Sequence, residues 1–137
     1  LIRDAYVYHK RRVDFKKFLR QVYVFGMSRI TLKLLYPGSL KLVHTLPALF
    51  VIGCVALIGL ACTVSPWFLA PIAAYILLLF VSALISTHSV KIALMAIPAA
   101  FIQLWGYGCG FIKAFTTKIL LGRGRDIDEE IKMRKGK

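Results

Sequence analysis

The chain has 137 residues, 58% of them hydrophobic, with a mean hydropathy of +0.70 and a formal net charge of +13. A composition this apolar excludes a soluble fold of that length, because Leu46 to Leu60 offers no polar residue from which a soluble helix could build an outer face. The charge does not indicate nucleic acid. Ten of the 19 basic residues precede Leu42 and eight follow Phe111, so they flank an apolar middle instead of marking one face of a soluble core.

Residues 1–12 combine strand-forming Ala5, Tyr6, Val7 and Tyr8 with the basic run His9-Lys10-Arg11-Arg12. A strand this short does not stand alone. The charged and aromatic opening is also unlike a signal peptide. This stretch reads as the end of a domain, with a further N-terminal portion expected before Leu1.

Residues 13–36 turn helical. Asp14 is the predicted N-cap, and Tyr36-Pro37-Gly38 is the stop. Phe15, Phe18, Leu19, Val22, Phe25 and Ile30 recur at helical spacing on one face, with Lys16, Lys17, Arg20 and Gln21 on the other. Aromatics opposite cations describe an amphipathic helix lying in a membrane interface. Packing on a soluble neighbour is the alternative. Arg29 and Lys33 project onto the apolar face, where their charges need lipid or ligand phosphates, unless the long side chains snorkel to the headgroups.

Residues 45–115 contain the membrane helices. No Asp, Glu, Lys or Arg occurs from Leu42 to Val90, enough for two crossings at roughly 20 residues each. In hydrocarbon the backbone must satisfy its own hydrogen bonds, so these runs are predicted to be helices. Leu46–Cys62 and Trp67–Ser86 read as a two-helix transmembrane hairpin, turning at Thr63-Val64-Ser65-Pro66, with Trp67 at an interface. Pro71 falls in the first turns of the second helix, where its missing N–H costs little. His44 and His88 lie just outside the two spans.

The third hydrophobic helix, from about Val90 to Phe115, holds Lys91, Pro98 and Gln103 and is either spanning or re-entrant. Basic residues at both chain ends favour an even number of crossings, which tilts the reading toward re-entry. Gly106 and Gly110 form a G-x-x-x-G that lets helices approach closely in lipid. Cys54, Cys62 and Cys109 match no metal or disulfide spacing and read as small buried hydrophobes. Residues 116–137 form a basic polar tail, in which Asp126 and Glu129 have the spacing of a capping box. The fold class is therefore all-α membrane.

No nucleophile stands beside a base, and no carboxylate pair lies near the apolar core, so the chain as it stands carries no complete catalytic site. The runs Val7-Tyr8-His9-Lys10-Arg11-Arg12, Phe18-Leu19-Arg20-Gln21 and Phe25-Gly26-Met27-Ser28-Arg29 resemble the exit from the catalytic domain of bacterial family 2 glycosyltransferases. Trp105-Gly106-Tyr107-Gly108-Cys109-Gly110-Phe111 is similar to a glycine-aromatic stretch near the end of many such chains.

The resemblance implies sugar transfer from a nucleotide donor to a lipid-linked or polysaccharide acceptor at the cytoplasmic face of a bacterial inner membrane. Its catalytic domain, with an Asp-x-Asp motif and a divalent metal, would lie upstream. Neither Asp4 and Asp14 nor Asp126-Ile127-Asp128 is placed for that metal. The Gln-x-x-Arg-Trp of processive members is also missing, since Val22-Tyr23-Val24 follows Gln21, which favours single-sugar transfer. His9, Arg11, Arg12, Arg20, Arg29 and Lys33 are the candidates for contact with phosphate or lipid headgroups. The rival roles are a non-enzymatic membrane anchor or assembly subunit, and a subunit of a lipid-handling transporter.

Overall fold

The computed structural model describes residues 14–122. His9, Arg11, Arg12, the strand-like start and the tail's capping box lie outside the described residues. Four long helices make up nearly all of what is described, with no strand among the described residues: α1 (Phe15–Leu35), α2 (Leu46–Thr63), α3 (Ala70–Thr87) and α4 (Val90–Phe115). A 3₁₀ turn, Leu42–His44, precedes α2, and a second, Pro66–Leu69, precedes α3.

Local chemistry sets these limits. The Asp14 side chain accepts from the Lys16 N–H at 2.9 Å, satisfying one of the free donors at the start of α1. After Tyr36 caps the other end, Gly38 adopts φ +95°, which glycine takes up without steric cost. Pro47 and Pro71 sit in the first turns of α2 and α3, where no helical hydrogen bond is lost. His88 ends α3 in the left-handed region at φ +51°, and its N–H bonds to the Leu84 carbonyl.

Three helical stretches are long and apolar enough to cross a membrane: Leu46–Thr63, Pro66–Thr87 and Val90–Leu120. Their surfaces are covered with exposed Leu, Ile and Val, and large apolar area left open in this way is what hydrocarbon covers in a membrane protein. Trp67 is 83% exposed in the connection between α2 and α3.

α4 is the organising element, and α1, α2 and α3 all pack on it. α2 and α3 touch through the rings of Phe50 and Tyr75, 5.2 Å apart, but are not packed along their length. The packed hairpin is instead α3 with α4. Tyr75 and Phe101, each thirteen residues from His88, meet across it at 6.0 Å. The reason is the connection. Only His88 and Ser89 separate α3 from α4, whereas a 3₁₀ turn that packs against the end of α2 separates α2 from α3.

The helical path also runs beyond Phe115, because a π-helical turn carries it through Thr116–Leu120. The Thr116 and Thr117 hydroxyls bond back to the Ile112 and Lys113 carbonyls there, so the tail expected from residue 116 begins after this turn.

On the predicted apolar face of α1, Val22 and Ile30 pack inward together with Gly26, whereas Phe15 and Phe25 are 43% and 53% exposed. The reading of the cysteines as buried is corrected for two of the three, since only Cys54 is buried, and Cys62 and Cys109 are exposed. Apolar character does not mark the side that faces protein where the outer surface is itself apolar.

Candidate functional site

The site is built on the seam between α1 and α4, where the backbones come close because side chains are missing. A Cβ on Gly110 would collide with the Tyr23 carbonyl, and one on Gly26 with the Tyr107 carbonyl. A Cβ on Gly106 would stand 2.5 Å from Cγ2 of Val22. Gly106 and Gly110 are one helical turn apart and face α1 together. Gly108, on the opposite side of α4, meets the carbonyl of Pro47 and the side chain of Val51 on α2. The Trp105–Phe111 stretch is thus a two-sided docking strip, with α1 on one flank and α2 on the other.

The contacts advance together along both chains. Leu19 and Val22 lie at Gly106, Tyr23 at Gly110, and Thr31 at Lys118, so α1 and α4 run parallel. At 1.5 Å per residue the 31 residues of Val90–Leu120 extend about 46 Å, beyond a hydrocarbon core of about 30 Å. Measured from Val90, Gly106 lies at about 24 Å and Lys118 at about 42 Å, so the seam begins within a core of that thickness and ends beyond it.

Cations collect on this unit. Of the nine Lys and Arg among the described residues, eight belong to α1, its connection to α2, or the end of the α4 path, and Lys91 is the exception. Asp14 is the one carboxylate among the described residues, and it is engaged as the helix cap. Lys16, Lys17 and Arg20 are exposed on the first turns of α1, while Arg29 and Lys33 are half-buried further along. Lys113 lies 5.9 Å from the centroid of the Tyr23 ring, and Lys118 donates to the Thr31 hydroxyl.

Two hollows accompany these charges. Phe25, Ser28, Arg29, Leu32 and Tyr107 line one of about 330 Å³, where the Arg29 guanidinium lies against the Tyr107 hydroxyl. His44 stands nearby, its Nδ1 accepting the Lys41 N–H at 3.1 Å. Desolvation, then the charges of Arg29 and Lys41, hold its pKa below the ordinary value, so this imidazole favours the neutral form. The guanidinium and the phenol, from two helices, give the hollow a donor pair suited to an anion. The second hollow is a groove of about 680 Å³ beside the first turns of α1.

Among the described residues no three His, Cys, Asp or Glu side chains gather as a metal site requires. Asp14 alone, already capping α1, does not supply a ligand set for the divalent metal that the glycosyltransferase resemblance implies. Of the residues singled out in the sequence, the seam brings Gly106, Gly110, Arg20, Arg29 and Lys33 together on one unit. Tyr107, His44 and Gly26 were not foreseen as members. The identical spacing of Gly26 from Val22 and Ile30 was the available signal for the glycine. Comparison with protein-family models, with curated proteins and with solved structures finds no match for the chain.

Proposed function

We propose that this chain is the membrane-anchoring C-terminal part of a glycosyltransferase, which moves a sugar from a nucleotide-sugar donor to a lipid-linked or polysaccharide acceptor at the cytoplasmic face. One observation carries the reading. The two stretches that resemble the glycosyltransferases, Phe18–Arg29 and Trp105–Phe111, are far apart in sequence yet pack on each other, with Arg29 of the first against Tyr107 of the second. Each glycine of the second has a steric reason in the first or in α2.

In this reading the seam fixes α1 beneath the catalytic domain, and the metal and the base belong to residues upstream. Arg29 is the residue that holds phosphate charge, because a guanidinium fits phosphate oxygens in a bidentate way. Arg20 and Lys33, with His9, Arg11 and Arg12, complete a cationic collar that draws in anionic headgroups at about 1 kcal/mol for each cation near the surface. Eight cations on α1, its connection to α2 and the end of the α4 path, against Lys91 near the α3–α4 turn, support a cytoplasmic seam by the positive-inside rule.

The test is intact mass and N-terminal sequencing of the protein from its natural membrane, with a sugar-transfer assay on the same preparation. The reading requires a native chain longer by a domain, on the order of 200 residues, that carries an Asp-x-Asp and loses transfer in Arg29→Ala while staying in the membrane. A native protein starting at or near Leu1 removes the transferase and leaves a non-enzymatic membrane anchor or assembly subunit.

A further inference from the structure

The groove of about 680 Å³ beside the start of α1 combines two kinds of wall. Leu19, Tyr23, Trp105 and Gly106 give it an apolar lining, and Lys16, Lys17 and Arg20 stand at its edge. Gly106 lets α1 approach closely, the place of its missing side chain being taken by Val22 and Leu19, and the groove opens beside that contact. The three cations outnumber Asp14, the one carboxylate at the same edge, whose side chain accepts the Lys16 N–H, so the edge carries a net positive charge. Cysteine 109 completes the lining and is exposed to the groove side of α4.

We infer that this groove holds one anionic phospholipid of the surrounding bilayer. Its acyl chain lies along Leu19, Tyr23 and Trp105, and its phosphate sits under Lys16, Lys17 and Arg20. An apolar slot with a net cationic rim is complementary to an amphiphile whose charge is negative and terminal. It is not complementary to the basic run His9–Arg12 that precedes it in the chain, which carries the same sign as the rim. A zwitterionic lipid, with no net charge, gains less from a rim of three cations and one carboxylate. The bound lipid adds to the packing of α1 on α4 beside Leu19 and offsets the repulsion among the three side chains. This inference stands apart from the transferase reading, because it needs neither the Arg29 hollow nor a catalytic domain.

Trp105 provides the measurement. The full chain carrying Trp67→Phe has one tryptophan left, at the groove wall. It is placed in nanodiscs of phosphatidylcholine with a rising fraction of phosphatidylglycerol brominated on its acyl chains. The expected result is saturable quenching of Trp105 at a low brominated fraction, with the same bromines on phosphatidylcholine quenching only in proportion to their bulk amount. Removing cations one at a time as Lys16→Gln, Lys17→Gln and Arg20→Gln lowers the preference roughly fivefold at each step. Cys109→Leu, which narrows the slot and leaves every charge in place, reduces the saturable part as well, and unchanged helicity by circular dichroism certifies the fold of each variant.

Equal quenching by the two brominated lipids overturns the assignment, as does a charge-stripped variant that quenches like its parent. Relief of quenching by an equimolar isoprenyl phosphate also overturns it and gives the groove to a lipid-linked acceptor instead.

Discussion

Lys118 donates a 2.7 Å hydrogen bond to the hydroxyl of Thr31, tying the last turn of the α4 path to the last third of α1. The π-helical turn that contains Lys118 is what lets it reach, because its extra residue per turn rotates the side chain relative to a continuing α-helix. Lys118→Met keeps the aliphatic stem and removes the donor. A loss of about 1 kcal/mol is expected, as for a part-buried hydrogen bond. Thr31→Val should cost about the same, and the double variant little more than either. Additive losses in thermal unfolding would show that the two residues act independently.

The glycines divide into two classes with opposite expected effects. Gly110→Ala forces a methyl group into the Tyr23 carbonyl, so the seam must open at a cost of about 1–3 kcal/mol, the range for overpacking. Gly59→Ala on α2 meets nothing within 4 Å and replaces a poor helix former with the best one, so it is expected to be neutral or to stabilise by up to about 1 kcal/mol. Thermal midpoints of the two variants in one detergent check the contrast. Similar shifts would mean that the seam is loose.

His44 gives the seam a pH dependence with a definite sign. Its folded pKa is lowered, first by desolvation and then by Arg29 and Lys41, so between that value and the unfolded value near 6.5 the unfolded chain binds more protons. Its contribution is therefore complete above about 6.5 and is lost as pH falls through the lowered folded value. Thermal stability measured from neutral to mildly acidic pH should decline in the wild type, and the part of the decline assigned to His44 should vanish in His44→Asn. Identical pH profiles for the two proteins would remove the imidazole from this account.

Ser89 precedes α4 and Lys33 lies beside the far end of the α4 path, so a spanning α4 is expected to put the two on opposite sides of the bilayer. Ser89 makes no side-chain cap bond, so Ser89→Cys changes little else. In oriented vesicles with the cytoplasmic side enclosed, Ser89→Cys is expected to react with a charged maleimide from outside, and Lys33→Cys only after permeabilisation, each in a background with native cysteines replaced. Labelling of both from the same side would mean that α4 lies along the interface or re-enters.

The helices were legible in the sequence because their signals are local. The Asp14 cap, the Tyr36-Pro37-Gly38 stop and the Pro66–Pro71 boundary each act within a few residues, and the three apolar stretches end close to where charge and proline end them. Which surfaces meet was not legible. Phe15 and Phe25 are as apolar as Val22 and Ile30, and hydropathy cannot separate a face that meets lipid from one that meets α4. Steric fit decides it instead, since Gly26 lets Ile30 and Val22 approach and a phenylalanine does not. The α3–α4 pairing was hidden for a related reason, because the Thr63–Pro66 connection looks as short as His88–Ser89 until its 3₁₀ turn is seen. At the site, the cations of α1 could be named from their positions, whereas Tyr107 and His44 join Arg29 only through the fold.

Parallel packing on a glycine seam makes α1 a lever attached to α4. A bilayer that thickens or thins changes the tilt of a crossing helix whose apolar length no longer matches it. α1 has no side-chain cushion at Gly26, Gly106 and Gly110 with which to slip, so it swings through the same angle. At about 31 Å long, it turns a few degrees of tilt at α4 into a displacement at its far end. Whatever is joined to the chain before Asp14 would therefore be raised or lowered against the headgroups by membrane thickness alone.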